Sequence, residues 1–139
     1  MPALGDLHEP RAVQAMNAIN VRAVTPVFMT QLFGTAAAAL ALGAWAVLDG
    51  DVGPAAELVA GSALYLVGTI FVAIVGNVPL NDGLAAGTVS WERYLRRWTA
   101  LNHLRALASL AACAALIAAL AGRPPAKAGR RAGLARPEP

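Results

Sequence analysis

The chain has 139 residues, of which 58% are hydrophobic and 14% charged, and its formal net charge at neutral pH is +3. A soluble domain usually carries about 25% charged residues, so this composition argues against a water-soluble globular protein. The basic residues are scattered at the ends of predicted helices instead of lying on one face, and we therefore expect no nucleic-acid partner.

Three stretches without a charged side chain predict membrane-spanning helices. They are Ala23–Leu48 with 26 residues, Leu58–Asn81 with 24 and Ala106–Gly122 with 17. A spanning helix needs about 20 apolar residues, so the third stretch suffices only if Asn102–Arg105 lie at the membrane interface. A soluble alanine-rich bundle is the alternative, and it is disfavoured because these runs leave little amphipathic surface.

The first predicted element is an amphipathic helix over Leu4–Val24. Thr25-Pro26 then ends or kinks it, because the residue before proline avoids the α conformation. Alternatively, Pro26 lies in the first turn of the next helix, where its missing N–H costs nothing. That next helix is the first span, Val27–Leu48.

The second span is predicted over Ala55–Gly76. Pro79 and an Asn81-Asp82-Gly83 turn are expected to end this helix, since both are strong helix breakers.

The third helix is predicted from Trp91 to Ala121, with Ser90 as its N-cap. At about 1.5 Å per residue it is about 46 Å long, so its first turns extend beyond a hydrocarbon core of about 30 Å. Residues 123–139 form an Arg-, Gly- and Pro-rich tail that we expect to be disordered. The chain therefore divides into a membrane domain, 1–122, and a tail.

Charge placement predicts the orientation in the membrane. The arginines before the first span and after the second, and the acidic loop between them, put the N-terminal segment and the second loop in the cytoplasm. The basic tail after the third span contradicts this assignment. The residues behind the first assignment are, on the cytoplasmic side, Arg11, Arg22, Arg93, Arg96 and Arg97, and, on the opposite side, Asp49, Asp51 and Glu57. We expect a bacterial cytoplasmic membrane protein.

A polar and aromatic stripe is the strongest candidate for a functional site. At about 100° per residue, Trp98, Asn102, Arg105 and Ser109 all lie within about 40° of Trp91 on the third helix, with Tyr94 beside them. Polar groups at membrane depth are expected to face other helices. The stripe is either a structural clamp, with Arg105 held by helix-end carbonyls or Asp82, or a cavity whose arginine binds an anionic or carbonyl-bearing ligand.

A weaker polar face depends on a helix that continues through Pro26. Asn17, Asn20, Gln31 and Thr35 then share one side of it, and Ser62, Thr69 and Asn77 loosely share a side of the second span. Such groups often serve only as hydrogen bonds between helices.

The histidines and the cysteine give little indication of a functional site. His8 and His103 lie on different elements with few carboxylates nearby, so the sequence predicts no metal site. Cys113, the single cysteine, reads as a small apolar packing residue.

Several motifs together resemble the anthrone oxygenase-like membrane family over about residues 12–120. They are Met16-Asn17-Ala18-Ile19-Asn20, Pro26-Val27-Phe28-Met29, Gly76-Asn77-Val78-Pro79-Leu80-Asn81, and the set Trp91, Tyr94, Trp98, Asn102 and Arg105. The resemblance implies a small four-helix integral membrane protein. The family's first span, ahead of Met16, is not found in this sequence, so we expect three transmembrane helices plus the amphipathic helix. Either the start is truncated, or a further copy or a partner helix completes the bundle.

The resemblance also implies an activity. Fungal members are similar to oxygenases that convert a polyketide anthrone to the anthraquinone without a known cofactor, so no cofactor and a small hydrophobic aromatic ligand are expected. Arg105 with Asn102 would hold the oxyanion, Asp82 or His103 would be the base, and Trp91 with Trp98 would form an aromatic slot. The other expected substrate-binding residues are Asn20, Asn77 and Asn81.

The sequence also leaves a non-catalytic role open. The chain is either an enzyme of this kind or a membrane subunit that binds lipid, a quinone or a partner protein. A transporter fits poorly, because three short spans show no internal repeat.

Overall fold

The computed structural model describes residues 4, 6–49 and 53–122, and these fold into four helices without a strand among them. Helix α1 is Glu9–Ala23, α2 is Pro26–Leu48, α3 is Ala55–Ala85 and α4 is Trp91–Ala121. The predicted all-α helical bundle is therefore confirmed.

Helices α2, α3 and α4 are each long and apolar enough to cross a membrane, as the charge-free runs predict. Their outward faces carry large aliphatic side chains that are more than half exposed, such as Leu40 and Leu110. A bilayer, in contrast to water, solvates such faces without cost. The protein is thus a membrane protein whose apolar helices contact lipid.

The junction between α1 and α2 follows the second of the two sequence alternatives. Pro26 is the first residue of α2, and the Thr25 hydroxyl caps that helix by accepting a hydrogen bond of 3.2 Å from the Phe28 amide. Thr25 itself is extended, so the chain breaks between the two helices. The face shared by Asn17, Asn20, Gln31 and Thr35 in a continuous helix therefore does not form.

The end of α3 differs from its prediction. The expected stop at Pro79 and turn at Asn81–Gly83 are wrong, because the helix continues to Ala85 and the chain turns at Gly87, whose φ is +69°. Two π-helical segments, Leu66–Phe71 and Ala73–Asn77, precede the proline. Proline removes one N–H and its ring crowds the carbonyl four residues earlier, and the wider π turns relieve that crowding.

The start of α4 agrees with the prediction, except for its cap. Ser90 occupies the N-cap position with an extended backbone, but its side chain makes no capping hydrogen bond. The first turn is instead held by an exposed ion pair of 2.9 Å between Arg96 and Glu92. Residues 123–139, the predicted tail, lie outside the described part of the chain.

The three long helices lie side by side, with α3 in the middle and antiparallel to both neighbours. Helix α3 packs extensively on α2 and on α4, whereas α2 and α4 make little contact with each other. The short α1 packs across one end of the layer, against the last turns of α3 and the first turns of α4.

Two apolar clusters hold the layer at its ends. At the α1 end, Met16 from α1, Leu84 from α3 and Tyr94 from α4 are buried together. At the opposite end, Ala46, Leu58 and Ala119 bring the three long helices together. The polar residues of interest lie between these clusters, on the side nearer α1.

Candidate functional site

The Asn77 side chain is the most unusual polar group in the structure. It is only 4% exposed, and neither its amide oxygen nor its amide nitrogen has a hydrogen-bond partner within residues 4–122 as described. A buried polar group without a partner costs about 1–3 kcal/mol. A site that accepts such a cost is one where a ligand, water or another chain completes the hydrogen bonds.

The backbone around Asn77 is also unusual. Asn77 is the last residue of the second π-helical segment of α3. Short π-helical segments occur frequently at functional sites, because they rotate the side chains that follow relative to a regular helix. Here the segment aims the Asn77 amide inward, two residues before Pro79.

Arg105 is a partly buried cation of α4. Its Nε atom is inaccessible and has no hydrogen-bond partner in the described part of the chain. Across the α3–α4 interface Gly76 faces Leu101 and Gly68 faces Ala108. By this register, Arg105 lies about five residues, or about 8 Å along the helix axis, from the level of Asn77.

The Arg105 side chain is long enough to bridge this separation. Long side chains in an α-helix lean toward its N-terminus, which for Arg105 is the direction of Asn77. Among the described residues the single ion pair joins Arg96 to Glu92, so Arg105 is not neutralised by a carboxylate there. Arg105 Nε and the Asn77 amide, both without partners among the described residues, thus lie in neighbouring turns along the α3–α4 interface.

A hydrogen-bonded pair forms the α1 side of this region. The Tyr94 hydroxyl, at the end of a fully buried side chain, donates a hydrogen bond of 2.8 Å to Asn81 Oδ1. The Asn20 amide of α1 approaches the same hydroxyl. Its amide nitrogen and the Asn17 amide oxygen are buried without partners among the described residues. We call Asn17, Asn20, Asn77, Asn81, Tyr94 and Arg105 the polar cluster.

The two tryptophans of the predicted slot have different environments. Trp91 is buried and stacks on Tyr94, with ring centroids 5.8 Å apart and an interplanar angle of 18°. Trp98, one turn after Tyr94, is only partly buried and packs against the edge of the α1-end cluster. One face of Trp91 is therefore covered within the protein, and Trp98 offers the more accessible ring.

The remaining predicted residues are less well placed. Asn102 is partly buried on α4, one turn before Arg105. Asp82 and His103 are exposed. By the α3–α4 register, Asp82 lies level with Leu95, about 15 Å along the axis from Arg105, so the suggested clamp between Asp82 and Arg105 does not form.

Two members of the polar cluster were not among the predicted site residues. Tyr94 was seen only as a neighbour of the stripe, although its position about 60° from Trp91 was a usable signal. Asn17 was assigned to a face that depends on an unbroken helix. The hydroxyls of Thr69 and Ser109, by contrast, simply join α3 to α4 through a hydrogen bond of 2.7 Å.

Comparison with protein families places this geometry in a known group. The model of the anthrone oxygenase family matches residues 25–115, about two thirds of the chain. The chain belongs to the anthrone oxygenase family. Neither the curated proteins nor the solved structures contain a match to it. The family match includes Asn77, Asn81, Tyr94 and Arg105 but stops short of α1, so Asn17 and Asn20 lie outside it.

Proposed function

We propose that this anthrone oxygenase family member oxidises a small aromatic ketone that carries an acidic methylene group, using the polar cluster and no cofactor. The observation that carries the proposal is the pair of unpartnered buried groups, the Asn77 amide and Arg105 Nε, beside a partly exposed indole. A planar ketone supplies what these groups lack, because its oxygen accepts hydrogen bonds and its rings stack on Trp98.

The chemistry needs few protein groups. Loss of a methylene proton gives an enolate, which transfers one electron to dioxygen; the resulting radical and superoxide combine, a proton is added, and the hydroperoxide loses water. The net reaction converts one CH₂ and one O₂ into one C=O and one H₂O. The part of the protein is to stabilise the enolate oxygen, and Arg105 with Asn77 and Asn102 is proposed to do so.

The base that takes the methylene proton does not need to contact the substrate in this scheme. Asp82 lies next to Asn81 but is exposed, so we propose that it receives the proton through water and does not contact the substrate. His103 is exposed and lies about 160° around α4 from Arg105 at the same depth, so it has no proposed role. Trp91 is proposed to support Tyr94 by stacking, and Trp98 to contact the substrate rings.

The test is turnover of a hydroxylated anthrone by membranes that contain the full chain. Anthraquinone formation is followed by absorbance, and incorporation of one ¹⁸O atom from ¹⁸O₂ identifies the oxygen source; membranes without the protein measure autoxidation. We expect Arg105→Ala to lower the rate above that background by about 10²–10³-fold, the effect of removing an oxyanion donor.

Arg97→Ala is the matched control, because Arg97 is an exposed arginine about two turns earlier on the same helix and outside the polar cluster. It is expected to keep the full rate, and Arg105→Lys to keep part of it. If the wild-type membranes do not exceed the autoxidation rate, the chain is not an anthrone oxidase. A non-catalytic subunit that binds the ligand then becomes the better account.

A further inference from the structure

A long groove runs between α2 and α4, above the middle helix. It exists because both helices pack on α3 and make little contact with each other. Its volume is about 350 Å³. The residues that line it are Thr35, Ala38, Ala39, Leu42, Tyr65, Ser109, Ala112, Cys113, Leu116, Ile117 and Leu120.

The lining of the groove is almost entirely apolar, and its few hydroxyls lie toward one end. The part toward Leu116 and Leu120 is apolar, whereas Thr35 and Tyr65 place hydroxyls at the opposite part. A second cavity of about 340 Å³ shares Thr35 and Tyr65 and adds the exposed amide of Gln31. The two cavities therefore adjoin at Thr35 and Tyr65.

The hydroxyls in the groove differ in how firmly they are held. The Ser109 hydroxyl forms a hydrogen bond of 2.7 Å with the Thr69 hydroxyl. Tyr65 donates to the Leu32 carbonyl oxygen at 3.4 Å, near the outer limit for a hydrogen bond. The Tyr65 hydroxyl can therefore turn to a better acceptor in the groove at little cost.

The groove ends one helical turn short of the polar cluster on α4. Ser109 lines the groove, and Arg105 lies one turn before it on the same side of α4. The second cavity follows α2 to Phe28, in the first turn after α1. No member of the polar cluster lines either cavity, so the link from the groove to Arg105 runs through Ser109.

We propose that the groove between α2 and α4 is the binding site through which the aromatic ketone reaches the polar cluster from the bilayer. Its rings lie against Leu42 and Leu116, and its oxygen accepts a hydrogen bond from Tyr65. The identity of the ligand rests on the proposed function. A cavity volume of several hundred Å³ is in the range of small-molecule sites.

A transmembrane helix from a second copy is a poorer occupant. Such a helix satisfies its own backbone polar groups, so it offers an acceptor to Tyr65, Thr35 and Gln31 only where it carries a polar side chain. A ketone oxygen is itself such an acceptor. The polar end of the groove therefore favours a carbonyl-bearing molecule over a further helix.

Photolabelling with benzophenone tests this proposal without turnover. Benzophenone is a diaryl ketone without an acidic methylene, and on irradiation it inserts into nearby C–H bonds. The full chain in liposomes is irradiated with it, and the adducts are located by mass spectrometry. We expect adducts on the groove faces of α2 and α4, lowered by added 9,10-anthraquinone, and few on the outward residues Leu40 and Leu110.

A matched pair of variants gives the control. Ala38 lines the groove and Ala37 does not, although both are exposed on α2. Ala38→Leu is expected to lower groove labelling about tenfold, and Ala37→Leu to leave it unchanged. Tyr65→Phe is expected to lower it about fivefold through loss of the hydrogen bond.

The outcomes separate the two proposals. Labelling spread equally over groove and outward residues overturns the groove site, and so does a Cys113–Cys113 disulfide between two copies after copper-phenanthroline oxidation with no groove labelling. Groove labelling with an anthrone oxidation rate no higher than background supports the groove and contradicts the proposed oxygenase. Anthrone oxidation above background without groove labelling supports the proposed oxygenase and contradicts the groove site.

Discussion

At the scale of single residues, polar side chains in this protein fall into two groups. Thr69 and Tyr94 have partners on a neighbouring helix, Ser109 and Asn81, and these pairs tie the helices together. Asn77 has none among the described residues although it is equally buried. Since hydrogen bonds between membrane helices contribute about 0.6 kcal/mol on average, the first group is structural and the second is costly to the fold.

This contrast predicts opposite effects on stability. Asn77→Leu removes an unsatisfied amide from an apolar setting, so the free energy of unfolding in bicelles is expected to rise by about 1 kcal/mol, while anthrone oxidation is lost. Thr69→Val removes a satisfied hydroxyl and leaves Ser109 unpaired, so it is expected to lower the free energy of unfolding by about 0.5–1 kcal/mol.

Thermal or SDS titration of the two variants alongside the wild type measures this difference. A strongly destabilised Asn77→Leu protein means that the amide does have a structural partner, supplied from outside the described residues. The proposed binding role of Asn77 is then wrong.

At the scale of helices, close approach of α3 to α4 depends on small residues. A Cβ atom added to Gly68 meets the Ala108 Cβ, with no flexible side chain that can yield. Glycine at such contacts lets membrane helices approach closely, which strengthens packing where the hydrophobic effect is absent. The same contact lies beside Thr69 and Ser109, so the spacing of the helices and their hydrogen bond depend on each other.

We therefore expect Gly68→Ala to destabilise the protein by about 1–3 kcal/mol, the usual cost of overpacking. Gly34→Ala on α2 is the control, because nothing lies within 4 Å of the added atom. That change is expected to be neutral, or to stabilise by up to about 1 kcal/mol through helix propensity. Unfolding in bicelles gives both values; equal effects would show that α3 and α4 do not touch at Gly68.

At the scale of the whole molecule, the fold brings the arginines of α1 and of the first turns of α4 together at one end. Helix α1, with Arg11 and Arg22, packs against the end of α3 and the start of α4, where Arg93, Arg96 and Arg97 lie. The acidic residues Asp49 and Glu57 flank the loop at the other end. The fold thus strengthens the sequence argument that the α1 end faces the cytoplasm.

Cysteine labelling from the two sides of the membrane tests this orientation. In a Cys113→Ala background, Ala86→Cys is expected to react with a membrane-impermeant maleimide only after inside-out vesicles are made. Gly53→Cys is expected to react in intact cells, because it lies in the loop at the acidic end. The reverse pattern would place the polar cluster near the outer surface and contradict the cytoplasmic assignment of the α1 end.

The sequence by itself determined the helices and their membrane character. Charge-free runs long enough to span a bilayer and a helix boundary at Thr25-Pro26 depend on local chemistry, which a linear pattern records. The angular position of Arg105, Trp98 and Ser109 on α4 was equally readable, because it depends only on the helical period. The end of α3 was not, because Pro79 breaks a regular helix but not one widened by π turns.

Only the tertiary structure decided which polar groups meet. Whether Asn77 finds a partner, whether Tyr94 binds Asn81 and whether Asp82 reaches Arg105 depend on the register of α3 against α4, which has no signature in either helix alone. The groove between α2 and α4 likewise arises because both pack on α3 and not on each other. Contacts between helices are set by the shapes of both surfaces together, and a single sequence pattern describes one surface at a time.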